Sequence, residues 1–401
     1  MQPGDGVPAG TVHNVPVTPA RAVLLASGQG FAGMFMLFAV LPVLGSQSLG
    51  AVGAGLATTA FMITTVITQV FVPTLMARFA PGPLFAASLL LLGLPAVAYL
   101  LDLPAGLFLA ITAIRGIGFG LLTIVSVSLA AHYADPARQG AAQGFLGLVT
   151  SLSGVATPGI GLWLLDNTAR AIPLTLGVII PLIGLVFLGP ILRASPRPIS
   201  RRHDRSAGPR TPVSLWLFLP VFVFLPSAIV YGALYTFLPL ESAVAPIALI
   251  AVGVGYVLGR STGGRLVDIW SMSAVLIPAT LIGAAAIAMI GLVSSDIVDI
   301  AMAAILGATI GAGGTAALTG MLHVVEPSLF GLVSMSWNIT FDAGILLSGI
   351  LIGVVIATAG FTVAMSVLAI WLAVASLIAI VALPRMRGLR DGSHLSEEPL
   401  R

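Results

Sequence analysis

One carboxylate, Asp342, lies deep inside a run from Leu329 to Ala357 that is otherwise apolar or small. At about 1.5 Å of helical rise per residue, it stands about 24 Å beyond the polar break at Glu326, deep within a bilayer about 30 Å thick. An ionisable group at that depth is costly and is by default functional. The chemistry on offer is proton carriage: apolar surroundings favour the neutral acid, a nearby cation favours the carboxylate, and movement between the two ties protonation to shape. Arg115 is a second deep charge, about 16 Å in from Pro104. Such a guanidinium needs partners, and Asp342, backbone carbonyls or a substrate anion are the candidates. Gln29, Trp337 and Asn338 lie at comparable depth or beside Asp342 and are candidates to line a cavity, Gln29 and Asn338 having cross-helix hydrogen bonding as the alternative. Tyr231 and Tyr235, four apart, share one helix face; they suit an aromatic wall for an organic substrate or, for Tyr235 in particular, an interfacial belt.

These residues need long apolar elements to position them. Runs able to span recur at Val23 to Leu44, Val52 to Met76, Leu84 to Leu101, Ala105 to Ala131, Phe145 to Leu165 and Ile172 to Leu192. After a Pro and Arg rich break they resume at Leu215 to Leu238, Ile247 to Val267, Val275 to Val293, Ile300 to Leu322, Leu329 to Ala357 and Phe361 to Leu383. The expectation is an all-α membrane protein of twelve transmembrane helices in two six-helix halves. Its divisions are a tail over 1–20, a six-helix bundle over 21–193, a linker over 194–213, a second bundle over 214–384 and a tail over 385–401.

Composition agrees: 58% of the residues are hydrophobic and 8% charged, with a mean hydropathy of +1.10, which excludes an ordinary soluble domain. There is no cysteine, hence no disulfide or thiolate chemistry. Every basic residue is arginine, a bias of GC-rich bacterial genomes, which points to a bacterial inner membrane. With the N-terminus in the cytoplasm, Arg21, Arg78, Arg138, Arg265 and the linker and tail arginines share one side, and only Arg170 falls outside. The distribution argues for two cytoplasmic termini. It also explains the basic pI without nucleic acid. His132 with Asp135 and His323 with Glu326 offer two ligands each and read as loop residues, so no metal is expected.

The motifs resemble the major facilitator superfamily, especially bacterial drug and metabolite exporters. Gly264-Arg265-Leu266-Val267-Asp268 is similar to the family's cytoplasmic motif A, in which glycine permits close helix approach and the carboxylate holds neighbouring helix ends. The first half carries Pro73 and Ala77 where that motif has Gly and Asp. Arg115-Gly-Ile-Gly118-Phe-Gly120 looks like motif B, an arginine followed by a glycine-lined face. Gly154-Val-Ala-Thr-Pro158-Gly-Ile-Gly161 resembles the exporters' motif C, with Thr157 and Leu162 in place of two glycines. Small residues and a kinking proline make this a packing face. Arg260, two turns before Asp268, is similar to arginines of related exporters, which implies gating or an inter-half contact; snorkelling of its guanidinium to the membrane surface is the alternative.

The resemblance implies a secondary transporter, with exchange direction carried by motif C: efflux of a small organic compound against protons, as a monomer in the lipid bilayer. Asp342 would carry the proton and Arg115 supply the counter-charge. Two other roles are open to Asp342, a latch salt-bridged to Arg115 or Arg260 and a substrate contact. An uptake permease and a polytopic membrane enzyme are the competing functions. No cofactor is implied, since the glycines of Gly253 to Gly259 lie within an apolar run and not after a strand.

Overall fold

A computed structural model describes residues 17–135, 139–195, 218–323, 325 and 330–392. In a bilayer every backbone N–H and C=O must be satisfied within the protein, and runs of Ala, Leu, Ile and Val do this as helices. The first half comprises α1 (Pro19–Phe38), α2 (Val40–Arg78), α3 (Pro81–Gly93), α4 (Ala105–Tyr133), α5 (Gln139–Asn167), α6 (Ala171–Ile183) and the short α7 (Leu188–Arg193). The second comprises α8 (Leu219–Glu241), α9 (Ala245–Ile269), α10 (Met272–Leu292), α11 (Asp296–Leu322), α12 (Phe330–Leu347), α13 (Gly353–Ala359) and α14 (Phe361–Gly392). A π-turn, Ser348–Ile352, joins α12 to α13. Most of the linker and the ends of both tails fall outside the described residues, and α14 continues through part of the stretch expected as tail.

Eleven helical stretches among the described residues are long and apolar enough to cross a membrane. The sequence led us to expect twelve. The difference arises at the start, where Pro19–Arg78 runs as one helical stretch of 60 residues, about 90 Å if straight. Its continuity is broken at Leu49 and Gly50, and Gly50 takes φ +58°, a left-handed conformation that glycine adopts without a Cβ penalty. On either side the chain folds back on itself, with Gly53 set against the backbone of Gly45.

The main helix pairs are α9 with α11, α2 with α4, α10 with α11 and α14, α1 with α5, and α3 with α4; α5 meets α9, and α2 meets α8 and α12, across the two halves. Close approach is made by backbones: Gly255 and Gly259 of α9 face Ala304 and Ala308, while Gly307 of α11 faces Val252 and Tyr256. The glycines of this apolar run are thus a packing face, as the sequence suggested. Large side chains such as Phe71, Val186, Leu258 and Ile370 are left exposed on the outside. That surface would be a liability in water and is matched to lipid hydrocarbon.

Candidate functional site

Asp342 lies about three turns into α12, about 18 Å from Phe330, and is 8% exposed. Its partner comes from the other half of the molecule: Gln69 of α2, 1% exposed, donates through Nε2 to Asp342 Oδ2 at 2.6 Å. The same amide nitrogen reaches Thr123 Oγ1 of α4 at 3.2 Å, while Gln69 Oε1 meets no hydrogen-bond partner. The sequence reading missed Gln69. Its signal was available, since it is an amide about 19 residues past the break at Gly50, at a depth like that of Asp342.

Neither arginine expected as a latch for Asp342 is paired with it. Among the described residues Arg170 forms an ion pair with Asp102 at 3.2 Å, and His323 Nε2 lies 3.9 Å from Asp268 Oδ1, an ion pair when the imidazole is protonated. The first explains the arginine that stood apart from the sidedness pattern: Arg170 has an acid beside it on that end. In this structure Asp342 therefore has no ion pair with Arg115. That residue packs over Phe61, eight residues before Gln69 on α2, which separates the levels of Arg115 and Asp342 by about 12 Å along the helix.

Arg115 is 1% exposed. Its Nε donates to Leu92 O at 2.9 Å, and its guanidinium lies 5.9 Å from the ring centre of Phe61 and 5.7 Å from that of Tyr99. Nη2 has no hydrogen-bond partner. Ring faces stabilise a desolvated cation by about 2 kcal/mol, less than the several kcal/mol that removing it from water costs.

Around Asp342 the second half presents aromatic side chains. Trp337 and Phe341 stack with centroids 5.6 Å apart, and Phe224 of α8 stacks on both at 6.1 and 6.2 Å. Trp337 Nε1 donates to Gly314 O at 3.0 Å. Arg260 stands 5.6 Å from the Trp337 ring and donates to Tyr256 Oη at 3.3 Å, so it braces the aromatic stack within its own half. The inter-half contact expected for it is not seen here. Tyr231 lies 4.7 Å from Tyr235 and 5.3 Å from Phe341, ring centre to ring centre. Tyr235 is fully buried against Phe38 of α1, which rules out the interfacial belt; its buried Oη has no partner. Phe224, Tyr256 and Phe341 belong to this cluster and were not singled out from the sequence.

Of the remaining candidates, Gln29 is half-buried on α1, and Asn338 is exposed and hydrogen-bonds Ser334 O of its own helix at 2.9 Å. The cross-helix hydrogen bond considered for Asn338 is absent. Gly118 packs on Leu92 and Ser88 of α3, and Gly120 on Thr65 of α2, which explains the glycine-lined face of α4. Gly154 and Gly161 pack on Phe35 and Met36 of α1, with Pro158 buried between them. At the end of α9, Gly263 meets the backbone of Ala312, whereas a Cβ at Gly264 would meet only Thr315 Cγ2 at 3.7 Å. Close helix approach therefore rests on Gly263, one residue before the expected Gly264. Arg265 and Asp268 are exposed, and Asp268 reaches toward the end of α11 through His323.

The two halves meet along one side of α2. Gly55 and Gly349 touch backbone to backbone, Thr58 and Thr236 share a hydrogen bond of 2.8 Å, and Gln69 holds Asp342. This seam runs about 21 Å along α2, from Gly55 to Gln69. On the side of α5, Gly159 and Val155 pack on Pro246 and Gly253 of α9.

A family model described as Major Facilitator Superfamily matches residues 23–349. No curated protein matches the sequence. Among solved structures, a bacterial homologue of the human lysosomal transporter Spinster, in an inward-facing and occupied conformation, superposes with a TM-score of 0.73 at 15% identity, over 91% of this chain and 96% of that one. The same homologue in an inward-facing and unoccupied conformation gives a TM-score of 0.72 at 15% identity with the same coverage. At this identity the likeness concerns the fold.

Proposed function

Because the chain belongs to the Major Facilitator Superfamily and is a multi-pass membrane transporter, we propose that it exports a small organic compound in exchange for protons, with Asp342 carrying the proton. The observation that carries this reading is the buried hydrogen bond between Gln69 and Asp342, which joins the halves where alternating access must part them. A carboxylate at such a contact changes the strength of the contact when it takes up a proton, since a hydrogen bond to an ionised acceptor is about twice as strong as a neutral one. Protonation would loosen the seam and deprotonation tighten it. The exposed Asn338, one turn from Asp342 on the same face and toward the Arg78 end, supports access to the carboxylate from that end.

In this reading the break at Leu49 and Gly50 is a turn between two crossings, giving twelve crossings in all. Both termini are cytoplasmic, in keeping with the arginine distribution, and the protein is a monomer of a bacterial inner membrane. The end of the seam closed by Gly55 and Gly349 then faces outward. The likeness to two inward-facing structures supports that orientation.

The test is transport by cells or proteoliposomes at two external pH values, with a panel of drugs, sugars, amino acids and metal chelates. Wild type depletes its substrate from cells in a pH-dependent manner, and Asp342→Asn loses that dependence. Full proton dependence in Asp342→Asn would remove Asp342 from the role. Accumulation in place of depletion would identify an uptake permease.

A further inference from the structure

A cavity of about 180 Å³ lies in the first half, beside the turn at Gly50. Three connections of the chain converge on it. The stretch before Gly50 brings Ser48, the loop before α4 brings Asp102, and the corner between α5 and α6 brings Arg170. Leu44, Leu103 and Phe108 form apolar walls. The volume is the share of about six waters in the liquid, which is too little for a drug-sized molecule and enough for one of about ten non-hydrogen atoms. Asp342 and Gln69 are remote from it, since Gln69 lies about 28 Å beyond Gly50 along α2.

Among the described residues, Asp102 and Arg170 are the charged ones around the cavity. They bond once, Arg170 Nη1 to Asp102 Oδ1 at 3.2 Å, and an exposed pair of this kind holds its partners weakly. Asp102 Oδ2 and the other N–H groups of the guanidinium have no hydrogen-bond partner among the described residues, so each member keeps capacity for a ligand. An anion here would be drawn by Arg170 and repelled by Asp102, and a cation the reverse; a molecule carrying both charges satisfies both. We propose that the cavity binds a compact zwitterion, an ammonium and an anionic oxygen group on a short apolar body. Asp102 takes the ammonium, Arg170 takes the anionic group, and Leu44, Leu103 and Phe108 cover the apolar part. Bound there, the ligand ties the turn at Gly50 to the loop before α4 and to the start of α6. The site stands whether or not Asp342 carries a proton.

The test is titration calorimetry on the purified full-length protein in detergent, with leucine as a soluble amino acid and phosphoethanolamine as the headgroup of a lipid. At least one of the two binds wild type, and the tighter of them identifies the source of the ligand. Isocaproate, which lacks the ammonium of leucine, and isoamylamine, which lacks its carboxylate, bind at least tenfold more weakly than the tighter zwitterion. Affinity for that zwitterion falls at least tenfold in Asp102→Asn and in Arg170→Gln, whose exposed side chains make loss of the fold an unlikely confounder of the titration. It falls as far in Ala105→Leu, which fills the cavity and keeps both charges. Absence of binding by both zwitterions, equal binding of isocaproate or isoamylamine, or an affinity that survives in Ala105→Leu would overturn the proposal.

Discussion

Asp342 and Arg115 were legible in the sequence because a charge inside a long apolar run needs no partner to be noticed. Their partners were not, for two physical reasons. Gln69 is uncharged, and it meets Asp342 across 273 positions of sequence, a pairing that no local pattern encodes. Arg115 instead gives its Nε to a carbonyl at the end of α3, and in this structure the two deep charges lie apart. The importance of Gln69 can be tested directly. Gln69→Leu leaves a buried carboxylate without its donor, which costs about 1–3 kcal/mol of the closed seam. We expect at least a tenfold loss of transport at constant pH, with restoration of part of it by Gln69→Asn. Transport assays on protein matched for melting temperature separate this from a general loss of stability.

Among the elements, the long apolar runs were readable, as were the small-residue faces of α4, α5 and α9. The details of contact were not, because a one-residue shift along a helix turns a side chain by about 100°. Gly263 and Gly264 illustrate this: the motif pointed to the second, and packing against Ala312 falls on the first. Gly264→Ala, whose methyl group meets Thr315 Cγ2 in ordinary contact, should stabilise α9 by about 0.5–1 kcal/mol. Gly263→Val should cost about 1–3 kcal/mol by overpacking. Thermal unfolding of both variants in the same detergent checks the contrast. The aromatic stack on α8 and α12 offers a larger effect. Trp337→Ala removes two stacked contacts and the hydrogen bond to Gly314, and should cost about 3–5 kcal/mol, while Trp337→Phe retains most of the packing. The melting temperatures of the two variants should separate accordingly.

For the molecule as a whole, the long apolar runs and the Pro and Arg rich break among them were visible in the sequence, and the seam that α2 forms with α8 and α12 was not. Its contacts join residues such as Gly55 and Gly349 that carry no distinguishing chemistry. The absence of native cysteine makes the seam accessible to experiment. In Gly55→Ala/Thr58→Cys/Thr236→Cys, oxidation should be impeded by the added methyl group, whereas Thr58→Cys/Thr236→Cys alone should cross-link and stop transport reversibly. Gel mobility and uptake before and after reduction read both outcomes. The meeting of Gly55 and Gly349 has one more consequence, an electrical one. Two bare backbones in contact leave neither charge nor space for a hydrated ion between them, so the contact is expected to insulate this end of the protein against the membrane voltage. Wedging it open with Gly349→Val should appear as an ohmic leak in planar bilayers, in the absence of any substrate.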